Sequence, residues 1–123
     1  MRRVVVTGMG LLTPLGCGVE FVWERLLKGH SSGTNITKFD TSDYVTNYAC
    51  EIPFGDGAMG KFNPDEWMIT KDRRKVDDFI LYGICAADQA VRDAGWTPDK
   101  EEELLRTGAV SYTHLTLPTI LRV

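Results

Sequence analysis

The run Phe79-Ile-Leu-Tyr-Gly-Ile-Cys-Ala-Ala87 is apolar on every side of a helix, and no other feature restricts the fold so strongly. Around it, Val76, Phe79, Ile80, Gly83, Ala87, Ala90, Val91 and Ala94 share one face at about 100° per residue. One apolar stripe suits a surface helix, whereas an apolar circumference needs neighbours on several sides. Gly83 and the alanines would let those neighbours come close. The pattern predicts one helix from near Thr70 to Ala94, stopped by Gly95, in need of more protein than this chain supplies.

The remaining order of elements points to an α/β protein. Arg3-Val-Val-Val-Thr-Gly8 is β-branched and apolar on both faces, as in the covered central strand of a parallel sheet. A glycine-rich loop follows as far as Gly18. Val19, Val22, Trp23, Leu26 and Leu27 then recur at helical spacing, and Gly29 stands where a left-handed cap belongs. Residues 30–70 are expected to be mainly irregular, and a stretch of that length usually serves function or interaction. Within it, Asn63-Pro64-Asp65-Glu66 has an N-cap, a proline at the first helical position and acids in the first turn. Thr97-Pro98-Asp99 starts a short acidic helix ending near Leu105, and Arg106–Val110 reads as the start of a second strand. No internal repeat occurs.

Bulk properties exclude several classes. The net charge is −3 and the pI about 5.3, so no nucleic-acid partner is indicated. Cys17, Cys50 and Cys85 are odd in number and far apart, with no zinc spacing and no disulfide framework, and all three are read as reduced thiols. No metal and no cofactor are expected. The arginines, apolar run and Gly-Cys pair at the start imitate a signal peptide, but Gly8, Gly10 and Pro14 interrupt the run. Every uninterrupted apolar run is too short to cross a bilayer. A cytoplasmic protein with no membrane association is expected, in which the sequon Asn35-Ile36-Thr37 has no meaning.

Thr7-Gly8-Met9-Gly10 after a strand invites a dinucleotide-binding reading. The third glycine of that fingerprint is missing, because position 13 is Thr, and no helix opens at the loop to receive a pyrophosphate. A tight strand-to-loop turn is favoured. His30 lies just past a helix end without a partner, and Cys85 in mid-helix should be inert. Asp77/Asp78 and Glu101–Glu103 read as solvated charge. The basic cluster Lys71, Arg73, Arg74, Lys75 is different. Placed on the first turn of the long helix, its cations would oppose the helix dipole, a cost that a purely structural choice avoids. Lys71, Arg74 and Lys75 project away from the Val76/Phe79/Ile80 stripe and could hold an acidic partner in a salt-sensitive contact.

Together these residues resemble the N-terminal part of the β-ketoacyl-acyl carrier protein synthases, most closely the bacterial type II enzymes. Arg2-Arg-Val-Val-Val-Thr-Gly-Met-Gly-Leu-Leu-Thr-Pro-Leu-Gly16 resembles that family's opening strand and turn. Trp23–Gly29, Phe39-Asp-Thr-Ser42 and Arg74-Lys-Val-Asp77 with Tyr82-Gly83 continue the match in order, over about residues 1 to 109. The resemblance implies an incomplete N-terminal fragment of a thiolase-like fold, layered α-β-α-β-α, from a homodimeric parent. It also implies a decarboxylative Claisen condensation of an acyl thioester with malonyl carrier protein in fatty-acid chain elongation. In that family a cysteine at a helix N-terminus carries the acyl group and two histidines polarise the donor carbonyl. Cys17, Cys50 and Cys85 do not match the family's cysteine context, so no catalytic residue carries over and the fragment is expected to be inactive. Lys71, Arg74 and Lys75 align with positions that dock the acidic acyl carrier protein, and Arg73 with one that is often uncharged.

After Gly108 the family continues with a strand and a glycine-rich turn, but Val110-Ser-Tyr-Thr-His-Leu115 appears here. The hexapeptide resembles one translated frame of a transposon-end sequencing adapter. Residues 1–110 are therefore expected to be the synthase segment and 111–123 a non-native tail, adapter-derived or frameshifted. Two alternatives stay open: a carrier-binding module without chemistry, and a nucleotide-binding α/β domain.

Overall fold

The computed structural model describes residues 3–110, so the expected non-native tail lies outside it. The opening run Arg3–Gly8 forms no ladder, and Val4, Val5 and Val6 are 94%, 75% and 81% exposed. A strand is made by a neighbour's N–H and C=O groups, and among the described residues none lies alongside. Among the described residues the expected central strand is thus absent as a strand, and Arg106–Val110 likewise has no strand partner.

The first regular unit is a tight antiparallel pair, β1 (Leu12–Thr13) with β2 (Gly16–Cys17), in which Leu12 faces Cys17 and Thr13 faces Gly16. Thr13 Oγ1 accepts the Leu15 N–H at 3.2 Å and holds the turn. Helix α1 (Val19–Leu27) follows and buries Val22. Gly29 at φ +68° ends it: the Gly29 N–H reaches Leu26 O and the His30 N–H reaches Arg25 O, a Schellman cap. Residues 30–70 contain more order than expected. Strands β3 (Gly33–Asn35) and β4 (Tyr48–Cys50) pair antiparallel, with Thr34 opposite Ala49. The Thr37 hydroxyl donates to Glu51 at 2.7 Å just beyond the pair.

Two 3₁₀ turns, Ala58–Gly60 and Pro64–Glu66, lead to helix α2 (Thr70–Arg73) and then to helix α3 (Asp78–Asp93). The single long helix expected from Thr70 is therefore two. At Asp77 the backbone turns extended (φ −77°, ψ 157°), which makes it the N-cap of α3 and breaks the path between them. Val76 and Asp77 both have modest helix propensity, and aspartate favours the cap over the interior. The acidic helix α4 (Glu101–Leu105) begins a few residues later than Thr97.

The core lies where α3 meets the turns before it. Phe62, Leu81 and Cys85 are buried, with Leu12, Cys17, Ile52, Trp67, Met68 and Tyr82 packed around them. Phe62 meets the rings of Phe54 and Tyr82 edge-on, at 5.4 and 5.7 Å between centroids. On another side of α3 the glycine loop lies directly on the helix backbone. A Cβ at Gly8 would collide with the Ala90 carbonyl, and one at Gly10 with the Ala86 carbonyl. Side chains then take over the pairing that a strand would supply. The Met9 N–H donates to Asp93 Oδ2 at 2.9 Å, the Leu11 N–H donates to Gln89 Oε1, and Gln89 Nε2 donates back to the Leu11 carbonyl, each of the last two at 3.3 Å.

Candidate functional site

The basic cluster is assembled from the turn before it. Asn63 caps that turn by accepting the Asp65 N–H on its side-chain oxygen, and Pro64 supplies the fixed first position. Asp65 then accepts Arg73 Nη1 at 2.8 Å and the Thr70 hydroxyl at 3.4 Å, tying α2 back to the turn. A four-residue helix does not hold its shape unaided, so this tie is what presents α2 as a helix.

Lys71 lies within α2, Arg74 is its C-cap, and Lys75 follows in the break before α3. All three are exposed. Arg74 and Lys75 thus stand at and just past the C-terminal end of α2, where the helix dipole favours positive charge, and none of the three cations is on the first turn of a long helix. The dipole cost inferred from the sequence is therefore removed by the break at Asp77. Lys75 Nζ meets Asp72 Oδ1 at 2.9 Å, an exposed pair worth little in water. Among the described residues neither Lys71 nor Arg74 forms an ion pair. Arg73, by contrast, is committed to Asp65. Lys71, Arg74 and Lys75 are exposed within five residues of sequence, while Arg73 is paired with Asp65.

Such a surface can attract and orient an acidic partner. No group of three or more His, Cys, Asp or Glu side chains that could hold a metal occurs among the described residues. No helix among them is long and apolar enough to cross a membrane. His30 is exposed beyond the α1 cap. Gly8 and Gly10, the residues of the suspected nucleotide loop, have their open faces filled by the backbone of α3.

A second cluster escaped the sequence reading. Cys17 and Cys85, 68 residues apart, stand with their sulfurs at 3.8 Å, and Gln89 Nε2 lies 3.5 and 3.2 Å from the two. Burial pushes the Cys85 thiol up to about 12, although the Gln89 contact works the other way. Cys17 is raised as well, by burial first, with Glu66 adding to it and Cys85 and Gln89 opposing it. Gln89 follows Cys85 by one helical turn, and that spacing was the only local signal. The approach of Cys17 is a long-range event.

Residues 1–113 match the N-terminal domain of the β-ketoacyl synthases. The chain belongs to that family. Among similar β-ketoacyl synthases, 3-oxoacyl-[acyl-carrier-protein] synthase 2 of Rhizobium meliloti (strain 1021) is 51% identical over 110 residues, which are 89% of this chain and 26% of the relative. The mitochondrial 3-oxoacyl-[acyl-carrier-protein] synthase of Arabidopsis thaliana is 42% identical over 121 residues, covering 87% of this chain and 25% of its own length. The solved structure of the ishigamide ketosynthase/chain length factor superposes with a TM-score of 0.67 at 38% identity, over 80% of this chain and 23% of that one. The chain therefore has a ketosynthase fold neighbour and spans about a quarter of the length of the curated relatives it matches.

Proposed function

We propose that this β-ketoacyl synthase segment is the opening part of a 3-oxoacyl-carrier-protein synthase, and that Lys71, Arg74 and Lys75 dock the acidic carrier protein. The parent enzyme condenses an acyl thioester with malonyl carrier protein in fatty-acid elongation: decarboxylation supplies the carbon nucleophile, which displaces the enzyme's thiol from the acyl carbonyl. It acts in the cytoplasm as a homodimer, on the layered α-β-α-β-α thiolase-like scaffold. The described residues contribute the docking face and no catalytic group, so this chain alone binds without turnover. The observation that carries the docking reading is the exposure of three cations close in sequence, two of them without an ion pair among the described residues, on and just after a short helix tied to Asp65.

Fluorescence anisotropy of a labelled acidic carrier protein tests it. Binding should weaken as salt rises, because exposed charges are screened within about 8 Å at physiological ionic strength. The triple reversal Lys71→Glu, Arg74→Glu, Lys75→Glu should weaken binding by roughly tenfold or more. Arg73→Gln should leave affinity near that of the parent chain. Equal loss from Arg73→Gln and from the triple reversal, or binding indifferent to salt, would remove the docking assignment.

A further inference from the structure

We infer that Cys17 and Cys85 form a redox-reactive pair, a site at which a hydroperoxide closes an internal disulfide between the β2 turn and helix α3. The sulfurs already stand at 3.8 Å across the fold, in contact with each other, against a bonded distance of about 2.0 Å. Gln89 brackets both, and its amide is fixed by the Leu11 backbone on one side while its Nε2 faces the two sulfurs on the other. The two thiols also differ in access. Cys85 has no exposed surface, while Cys17 is half-buried on a turn. An oxidant therefore reaches Cys17 first and leaves Cys85 as the resolving thiol.

The chemistry balances in two steps. The Cys17 thiolate attacks one peroxide oxygen; an S–O bond forms, the O–O bond breaks, and the other oxygen leaves as water or alcohol after taking a proton. Cys85 then attacks the Cys17 sulfur; the S–S bond forms, the S–O bond breaks, and the departing hydroxyl takes the Cys85 proton as water. Two thiols are oxidised by two electrons and the peroxide is reduced. Burial keeps both thiols largely protonated, so the first step is slow and the second depends on proximity. Cys50, exposed on β4, stands outside the pair.

Peptide mapping of the 123-residue chain after treatment with hydrogen peroxide and alkylation tests the inference. Arg25, Lys38, Lys61 and Lys75 let trypsin place each cysteine on its own peptide. The expected result is loss of two hydrogens per chain, a dominant Cys17–Cys85 linked peptide, and Cys50 carrying the alkyl label. The same treatment in concentrated guanidinium provides the contrast. There, either pairing with Cys50 closes a loop about half as long as the 68-residue one, which favours each by roughly threefold. A native mixture matching the guanidinium mixture, or Cys17 sulfinic acid without linkage, overturns the inference. Cys50→Ser should keep the linkage and Cys85→Ser abolish it, and the mapping of the parent chain stands even if a variant fails to fold.

Discussion

Gly8 and Gly10 show how a residue without a side chain can fix a fold. Read locally, Thr7-Gly8-Met9-Gly10 resembles a phosphate loop, and the Thr at position 13 and the lack of a helix opening at the loop argue otherwise. The actual occupant of the glycine faces is α3, far along the sequence, and local spacing carries no record of it. Gly10→Ala forces a methyl onto the Ala86 carbonyl and should cost about 1–3 kcal/mol. Gly83 is the opposite case: nothing lies within 4 Å of the Cβ position. The expectation that Gly83 admits a close neighbour has no support among the described residues, whereas Ala86, Ala90 and Ala94 do admit one. Gly83→Ala should therefore raise helix stability by about 0.5–1 kcal/mol. Helical ellipticity followed through a urea titration separates the two, and a shift of the same sign in both would contradict the packing described.

At the scale of elements, what was legible is what is local. Helix α1 appears with its stripe and its Gly29 cap because periodicity and capping act within a few residues. The Asn63-Pro64 turn appears for the same reason. The β3–β4 pair was missed because its strands are three residues long and largely exposed, leaving no alternation to read. The break at Asp77 was missed because Thr70–Ala94 keeps helical spacing through it; the extended cap is a choice between two competent local states. Lys71, Arg74 and Lys75 were expected on the first turn of a long helix and lie on or just after α2 instead, and the tie that holds α2, Asp65 to Arg73, joins residues that look like ordinary surface charge. Removing the tie with Asp65→Ala should strip α2 of amide-exchange protection. Overall stability should fall by no more than about 1 kcal/mol, since the pair is solvent-exposed. Unchanged protection in α2 would mean that Asp65 does not hold it.

For the molecule as a whole, the deciding fact is how little is buried. Among the described residues the buried apolar side chains are Val22, Phe62, Leu81 and Cys85, while Val4, Val5, Val6, Trp23, Leu27 and Phe79 are each more than half exposed. This agrees with the helix that the sequence marks as apolar all round, and with a chain spanning a quarter of its relatives' length. An isolated chain of this kind should bind a hydrophobic dye such as ANS, self-associate as concentration rises, and melt over a broad range. A monomer with a sharp cooperative transition and no dye binding would show that the exposed faces need no cover.

The glycine loop on α3 also bears on the order in which such a protein assembles during synthesis. Met9 and Asp93 are 84 residues apart, yet both lie in the stretch that matches the family's N-terminal domain. Their contact, with Gln89 standing in for a neighbouring strand at Leu11, draws on nothing made later. Chains emerge N-terminus first at about 5–20 residues per second, so this contact has seconds to form before any later strand is available. The clasp thus seats the glycine loop on α3 while later parts of the chain are still being translated.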